Sequence, residues 1–583
     1  MNRTVIAGFF SIVAALMTPA QAAEQDDELA RKGFAVLKTY CYGCHGVSFN
    51  GNTAFNVLVR DVLLAQENEY IVPGKPDDST VWQRIANGEM PPEKSPQPSD
   101  EEKAILKQWI EAGLTFPPAD EPERPFKPSK AVLVDILEHL RKTKQVDRPF
   151  QRYFTLTHVY NNKKNVSDFD YRLYQAAFSK AANSLSWEPD IVVPAPIDQE
   201  STVFNIDLRD IGWDEDDLWN EVLKVYPYGL KFDKVKDDEL RELAKDVELL
   251  SGTPLAYIRA DWFVFTASQP PLYHILLRIP ETADELEREL RVDRIDDFLR
   301  DKLARAAFAE SGVSSQNRLV DRHSASYGAY WRSYDFAKND TTSNVFEFPL
   351  GPRFNGNPFD KFAFVEAGGE IIFNLPNGLQ GYMLVDGVGR RIDEGPINVV
   401  DDSLKTAGTA AVINGISCMA CHKHGMIQFK DTVRSGLAVF GPALEKAHDL
   451  FPKQESMDRL ISRDEDRFLE ALDEATGVFL RASDEQKKDI REFAEPVSTI
   501  ARFYYRDLRY EGAAFELGFE DPKLLQYAIT TNSTLKRLGL GPLADGNSIK
   551  RELWESREFV VSPFQEAARE LDVGSPLVFI GTK

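Results

Sequence analysis

The sequence predicts a mainly α protein: a small all-α domain over residues 28–116, then a large, mostly helical domain over residues 130–583 with a few β-hairpins. Three observations predict it. Segments with apolar residues three and four apart recur through the chain and outnumber alternating ones. At 583 residues the chain exceeds a single compact core, so at least two domains are expected. A proline-rich, charged stretch over 117–129 separates the two regions as a stiff spacer.

The elements follow in order. Arg3, the apolar run Val5–Met17 and the small-x-small site Ala20-Gln21-Ala22 read as a secretory signal peptide over residues 1–22. The apolar run is shorter than the roughly 20 residues a membrane span needs, and the alternative is a signal anchor. Glu28–Tyr40 is a helix with Leu29, Phe34 and Leu37 on one face, running into Cys41-Tyr42-Gly43-Cys44-His45. Pro98-Ser99-Asp100-Glu101-Glu102 opens a second helix, with acids in its first turn, that stops at Gly113. Beyond the spacer, helical patterns cover Ala131–Arg141, Tyr171–Ser184, Asp237–Leu250, Ala283–Leu290, Ile295–Glu310, Arg463–Glu474 and Glu485–Glu492. Thr202–Leu208 alternates as a strand. Glu370–Leu375 and Leu379–Val385 flank Pro376-Asn377-Gly378, a hairpin signal that could wall a pocket for the second motif, Cys418-Met419-Ala420-Cys421-His422.

These two pentapeptides use all four cysteines. C-x-x-C-H is the attachment pattern of c-type haem: two thiols one helical turn apart form thioethers to the vinyl groups, and the histidine ligates iron. A thioredoxin-like pair would want a βαβ context, and a zinc site would want two more ligands nearby. The double occurrence with a histidine each time favours two covalent haems c, bound through Cys41, Cys44, Cys418 and Cys421, with His45 and His422 on iron. Haem c is attached outside the cytoplasmic membrane, so the expected location is periplasmic. No later segment is long and apolar enough to span. The net charge of −23 argues against nucleic acid and anionic lipid and suits a basic redox partner protein, although it also serves solubility. Oligomeric state is left open.

Met90, in Gly88-Glu89-Met90-Pro91-Pro92, is the one methionine of residues 28–116 and the expected sixth ligand of the first iron; the alternative is a gap-filling core residue. The runs Cys41–Gly46, Gly88–Pro92 and Leu106–Gly113 resemble the planctomycete-type cytochrome c domain over roughly residues 36–115. That resemblance implies that Met90 is the distal ligand. Two haems with one in an elaborated domain is similar in plan to bacterial di-haem peroxidases and oxygenases.

For the second iron, His158, His274 and His323 lie in aromatic, low-charge contexts, while His139, His424 and His448 read as solvated or poorly placed. His323 beside Arg322 is the combination a peroxide-cleaving pocket uses, with imidazole moving the proton and guanidinium stabilising the departing charge. The residues therefore support two readings. One is a periplasmic di-haem electron carrier whose small Met/His domain relays electrons to a second, lower-potential haem. The other is a peroxidase or oxygenase acting at that haem; a haem-based sensor is a third. Expressed in cells with a haem-attachment pathway, the chain is expected to carry two haems that survive acid and organic extraction. A pyridine haemochrome assay checks this, and one haem, or extractable haem, contradicts it.

Overall fold

A computed structural model describes residues 19–45, 57–58, 60–64, 69–92, 97–114, 124–308, 316–337, 341–397, 400–402, 405–482, 485–558 and 560–579. The signal peptide expected over 1–22 falls mostly outside them. The protein is 47% helix and 13% strand, which makes it mainly α. Two compact units divide the chain, residues 1–123 and 124–583, and the division falls within the proline-rich stretch.

In the first unit a long helix, Pro19–Tyr40, runs to the first motif, whose residues continue as Tyr42–His45. Thr80–Ala86 precedes the Met90 turn, and Asp100–Glu111 is the closing helix. Ser99 and Glu102 form a reciprocal cap at its start, which satisfies two otherwise orphaned N–H groups. Gly113, at φ 92, ends it. The two long helices pack together. Tyr40 Oη donates to Glu102 Oε2 at 3.0 Å across this contact. Gly33 sits against the buried Trp109, where a Cβ would lie 2.4 Å from the indole ring. Only a residue without a side chain allows that approach.

The second unit is built around the helix Asp168–Ser184, which is buried on nearly every face. Its run of Tyr, Phe, Leu and Ala suits burial all round. The helices Gln454–Leu480, Pro496–Tyr504 and Ala260–Ala267 pack on it. Lys180 meets Glu495 at 2.6 Å, both side chains buried, so neither charge is left alone. A four-stranded sheet lies in the order β2-β3-β1-β4, with β1 Gln151–Thr155, β2 Ala195–Pro196, β3 Val203–Asp207 and β4 Tyr257–Arg259.

A six-stranded antiparallel meander is the larger sheet: β5 Ala304–Phe308, β6 Arg318–Ala325, β7 Gly328–Asp335, β8 Gly368–Asn374, β9 Gln380–Asp386 and β10 Arg391–Ile392. The expected hairpin is β8–β9, with Asn374 opposite Gln380 and Glu370 opposite Leu384. Gly378 takes φ 93 in its turn, and Asn377 Nδ2 donates to Asn183 O at 2.9 Å, tying the turn to the central helix.

Two helical expectations are corrected. Ile295–Glu310 is a helix only over Arg294–Leu299; Asp301 turns left-handed at φ 57, and the alanine-rich Ala304–Phe308 pairs with β6 instead. There Arg305 donates to Asp321 through Nε and Nη2, both at 2.6 Å, an ion pair that outweighs helix propensity. In Glu485–Glu492 only the 3-10 turn Ile490–Glu492 forms.

Gly33→Ala is expected to cost about 1–3 kcal/mol through overpacking against Trp109. Hydrogen exchange read by mass spectrometry should quicken over residues 28–40. Unchanged exchange there would contradict the packing.

Candidate functional site

The first motif continues the helix that leads to it. Cys41 N donates to Leu37 O at 3.0 Å and His45 N to Cys41 O at 2.8 Å. Cys41 and His45 are half-buried, and the Cys44 side chain lies outside the described residues. Burial, and then the Arg84 guanidinium, push the His45 imidazolium down, toward the neutral base that a metal needs. Arg84 also organises the Met90 turn, because its carbonyl accepts from Glu89 N at 2.8 Å and Met90 N at 3.1 Å. Gln97 Nε2 closes the turn by donating to the carbonyls of Pro91 and Pro92, both at 3.0 Å. Met90 itself is half-buried.

The second motif occupies a short helix, Ile416–Cys421, held from several sides. Gly415, at φ 84, lies against Ser268, whose carbonyl would be 2.5 Å from a Cβ. Ser417 Oγ donates to Asp402 Oδ2 at 2.9 Å and accepts from Ile413 N at 3.1 Å. Asn414 Nδ2 donates to His274 Nε2 at 2.7 Å. His274 can accept because burial, then Arg391, hold its imidazolium down at about 4.

His422 ends this helix. Its Nδ1 is 3.1 Å from Gly425 O. A carbonyl only accepts, so Nδ1 carries the proton and Nε2 keeps its lone pair. A cavity of about 730 Å³ opens beside it, within the size range of cofactor sites. The motif helix contributes Cys418, Cys421 and His422, and β6 to β9 contribute Val320, Trp331, Glu370, Ile372 and Leu384. The lining is mostly apolar, as a porphyrin face requires. Both cysteines and the histidine thus face one large apolar space, and this donor set fits a c-type haem. A thiol–disulfide pair fits poorly: burial, then Glu370, push the Cys418 thiol well up, and the same two causes bring Cys421 to about 11, far from the thiolate such chemistry needs.

Glu370, which sequence reasoning did not single out, projects from β8 with its Oε2 3.8 Å from His422 Nε2. Burial would raise its carboxyl, but the imidazolium form of His422, then Cys418 and Arg318, bring it down to about 2. Its one sequence signal was period-two alternation: Glu370 shares a strand face with Ile372.

The other expected residues lie elsewhere. Arg322 and His323 are adjacent on β6 and line no part of this cavity. Arg322 is bidentate to Asp464 at 2.7 and 2.9 Å, and Trp331 Nε1 donates to the same carboxylate at 2.9 Å. His323 is fully buried with Nδ1 2.7 Å from Asp297 Oδ2. Neighbouring strand residues point to opposite faces, so the pair cannot converge on one substrate. His158 Nε2 is 2.9 Å from Asp261 Oδ2, and His139 Nδ1 is 2.9 Å from Tyr153 Oη. Met426 also lines the cavity.

Residues 41–94 match the planctomycete cytochrome C family. The match spans the first motif and Met90-Pro91-Pro92, covers a small part of the chain, and implies covalently bound haem c with iron in the first unit. No curated protein and no solved structure matches the chain. Among the described residues no helix is long and apolar enough to cross a membrane.

Replacing Met90 by alanine is expected to abolish the sulfur-to-iron absorption band and to lower one reduction potential, because methionine ligation raises it. Signals of a haem attached at the second motif should stay as they are. A band that survives would make Met90 a packing residue.

Proposed function

We propose that the protein is an exported di-haem c-type cytochrome that carries electrons, with the small Met/His unit as a high-potential relay and a second, lower-potential haem at Cys418, Cys421 and His422. The observation that carries this reading is the second cavity, where two cysteines and a histidine whose Nδ1 is bonded to Gly425 O meet one apolar space. Bound there, the haem would supply one-electron chemistry. The chain's residues hold it covalently, orient the imidazole and exclude water. Acids around the cavity, among them Glu370, Asp386, Glu394, Asp401 and Asp402, outnumber Arg318, Arg332 and Lys430. Negative surroundings stabilise ferric iron, which supports the lower potential. The chain's acidic balance suits a basic partner protein, and periplasmic location agrees with covalent haem attachment.

The size of the cavity supports a second reading, catalysis by a peroxidase or oxygenase at the same haem. In that case the acid–base group comes from the cavity lining, since Arg322 and His323 are each bound to their own carboxylate.

Coulometry tests the carrier reading. The haem-loaded chain should take up and return two electrons reversibly, and the double variant Cys418→Ser/Cys421→Ser only one. Steady peroxide consumption with an electron donor, lost in that variant, would favour the enzyme. Two-electron uptake that survives the double variant would contradict a haem at the second motif.

A further inference from the structure

The second cavity contains a carboxylate, Glu370, that hydrogen-bonds Cys418 and lies beside His422. Glu370 lies on β8, an element remote in sequence from the motif, and only 15% of its side chain is exposed. Its Oε2 is 3.8 Å from His422 Nε2, beyond hydrogen-bond range. That nitrogen is the lone-pair atom, because Nδ1 is committed to Gly425 O. Metal bonds to imidazole nitrogen and carboxylate oxygen are each roughly 2 Å long. The observed separation is a little under the roughly 4 Å that two donors on opposite sides of one ion span.

The backbone at Glu370 is fixed. Its N–H donates to Ser333 Oγ at 2.8 Å, and Leu384 is its cross-strand neighbour. Ile372, two residues on, continues the apolar wall. Among the described residues lining the cavity, no histidine other than His422 is present, and Met426 is the one thioether. No cluster of three or more His, Cys, Asp or Glu side chains is arranged to hold a bare ion among the described residues. One imidazole and one carboxylate facing each other leave the equatorial positions to a porphyrin.

We infer that Glu370 faces the sixth position of the second haem iron, opposite His422. This rests on the proposal that a haem is attached at Cys418 and Cys421. It makes the two centres chemically different: a thioether opposes His45 in the first unit, and a carboxylate opposes His422 in the second. A carboxylate is a hard, anionic, weak-field donor. The second ferric iron is then high-spin and open to exchange with an added ligand, and its ferric state is favoured.

The test uses the full haem-loaded chain, with Glu370→Ala and Glu370→Gln beside it. Haem content is measured first. Two haems per wild-type chain support the attachment on which the inference rests, and one haem overturns both. Ferric EPR of the wild type should then show one high-spin signal beside the low-spin signal of the first haem. In Glu370→Ala the high-spin signal should change while the low-spin one stays. Imidazole should bind the second ferric iron about tenfold more tightly once the competing carboxylate is gone. A tenfold loss of ferric preference corresponds to a potential rise of about 59 mV for one electron. Should the alanine variant fail to load haem, Glu370→Gln decides by the same readouts, since it keeps size and hydrogen bonding but loses the charge. Two haems with an unchanged ferric spectrum, imidazole affinity and potential in the variants would overturn the role of Glu370 and leave the haem intact. So would two low-spin signals in the wild type.

Discussion

The hydrogen bond from His422 Nδ1 to Gly425 O, 3.1 Å long, is the constraint on which the second centre depends. It selects the tautomer that leaves Nε2 available, and it orients the ring toward the cavity. The bond depends in turn on the fold. Gly425 takes φ 90 and lies against Phe468, which would be 3.2 Å from a Cβ. Phe468 belongs to Gln454–Leu480, the helix packed on the buried Asp168–Ser184. At the other end of the motif helix, Gly415 meets Ser268 and Asn414 meets His274. Central core, glycine contacts and imidazole orientation thus form one mechanical chain.

The two motifs share the C-x-x-C-H pattern and differ in what surrounds it. The first closes a helix in a small unit, and the turn carrying Met90 hangs from the carbonyl of Arg84. The second faces a six-stranded sheet that brings side chains from remote parts of the chain to one cavity. Small units offer few side chains to tune a metal. A sheet wall offers many, and here it offers acids. Differences in axial ligation and local charge are the levers by which proteins separate the potentials of identical cofactors.

Local signals were legible in the sequence: both motifs, the Met90 turn, the cap at Ser99, and the hairpin around Pro376-Asn377-Gly378. Each depends on residues a few positions apart. The rest of the sheet was hidden. Ala304–Phe308 looks helical by composition, and β6 and β7 carry too many charges to alternate cleanly. Those charges are neutralised by partners distant in sequence: Arg305 by Asp321, Arg322 by Asp464 and Arg332 by Glu287. The same effect keeps the expected distal pair out of the cavity. His323 beside Arg322 has the composition of a peroxide site, but each side chain is committed to its own acid on opposite strand faces. Glu370, a single carboxylate in an apolar strand, carried no motif, and only the folded sheet brings it to His422.

The central claim is that one chain holds two haems in unlike surroundings. An optical redox titration of the intact haem-loaded protein tests it most directly. Two one-electron waves are predicted, the upper tracking the methionine-linked band and the lower free of it. A single wave, or two waves that both track that band, would contradict the account.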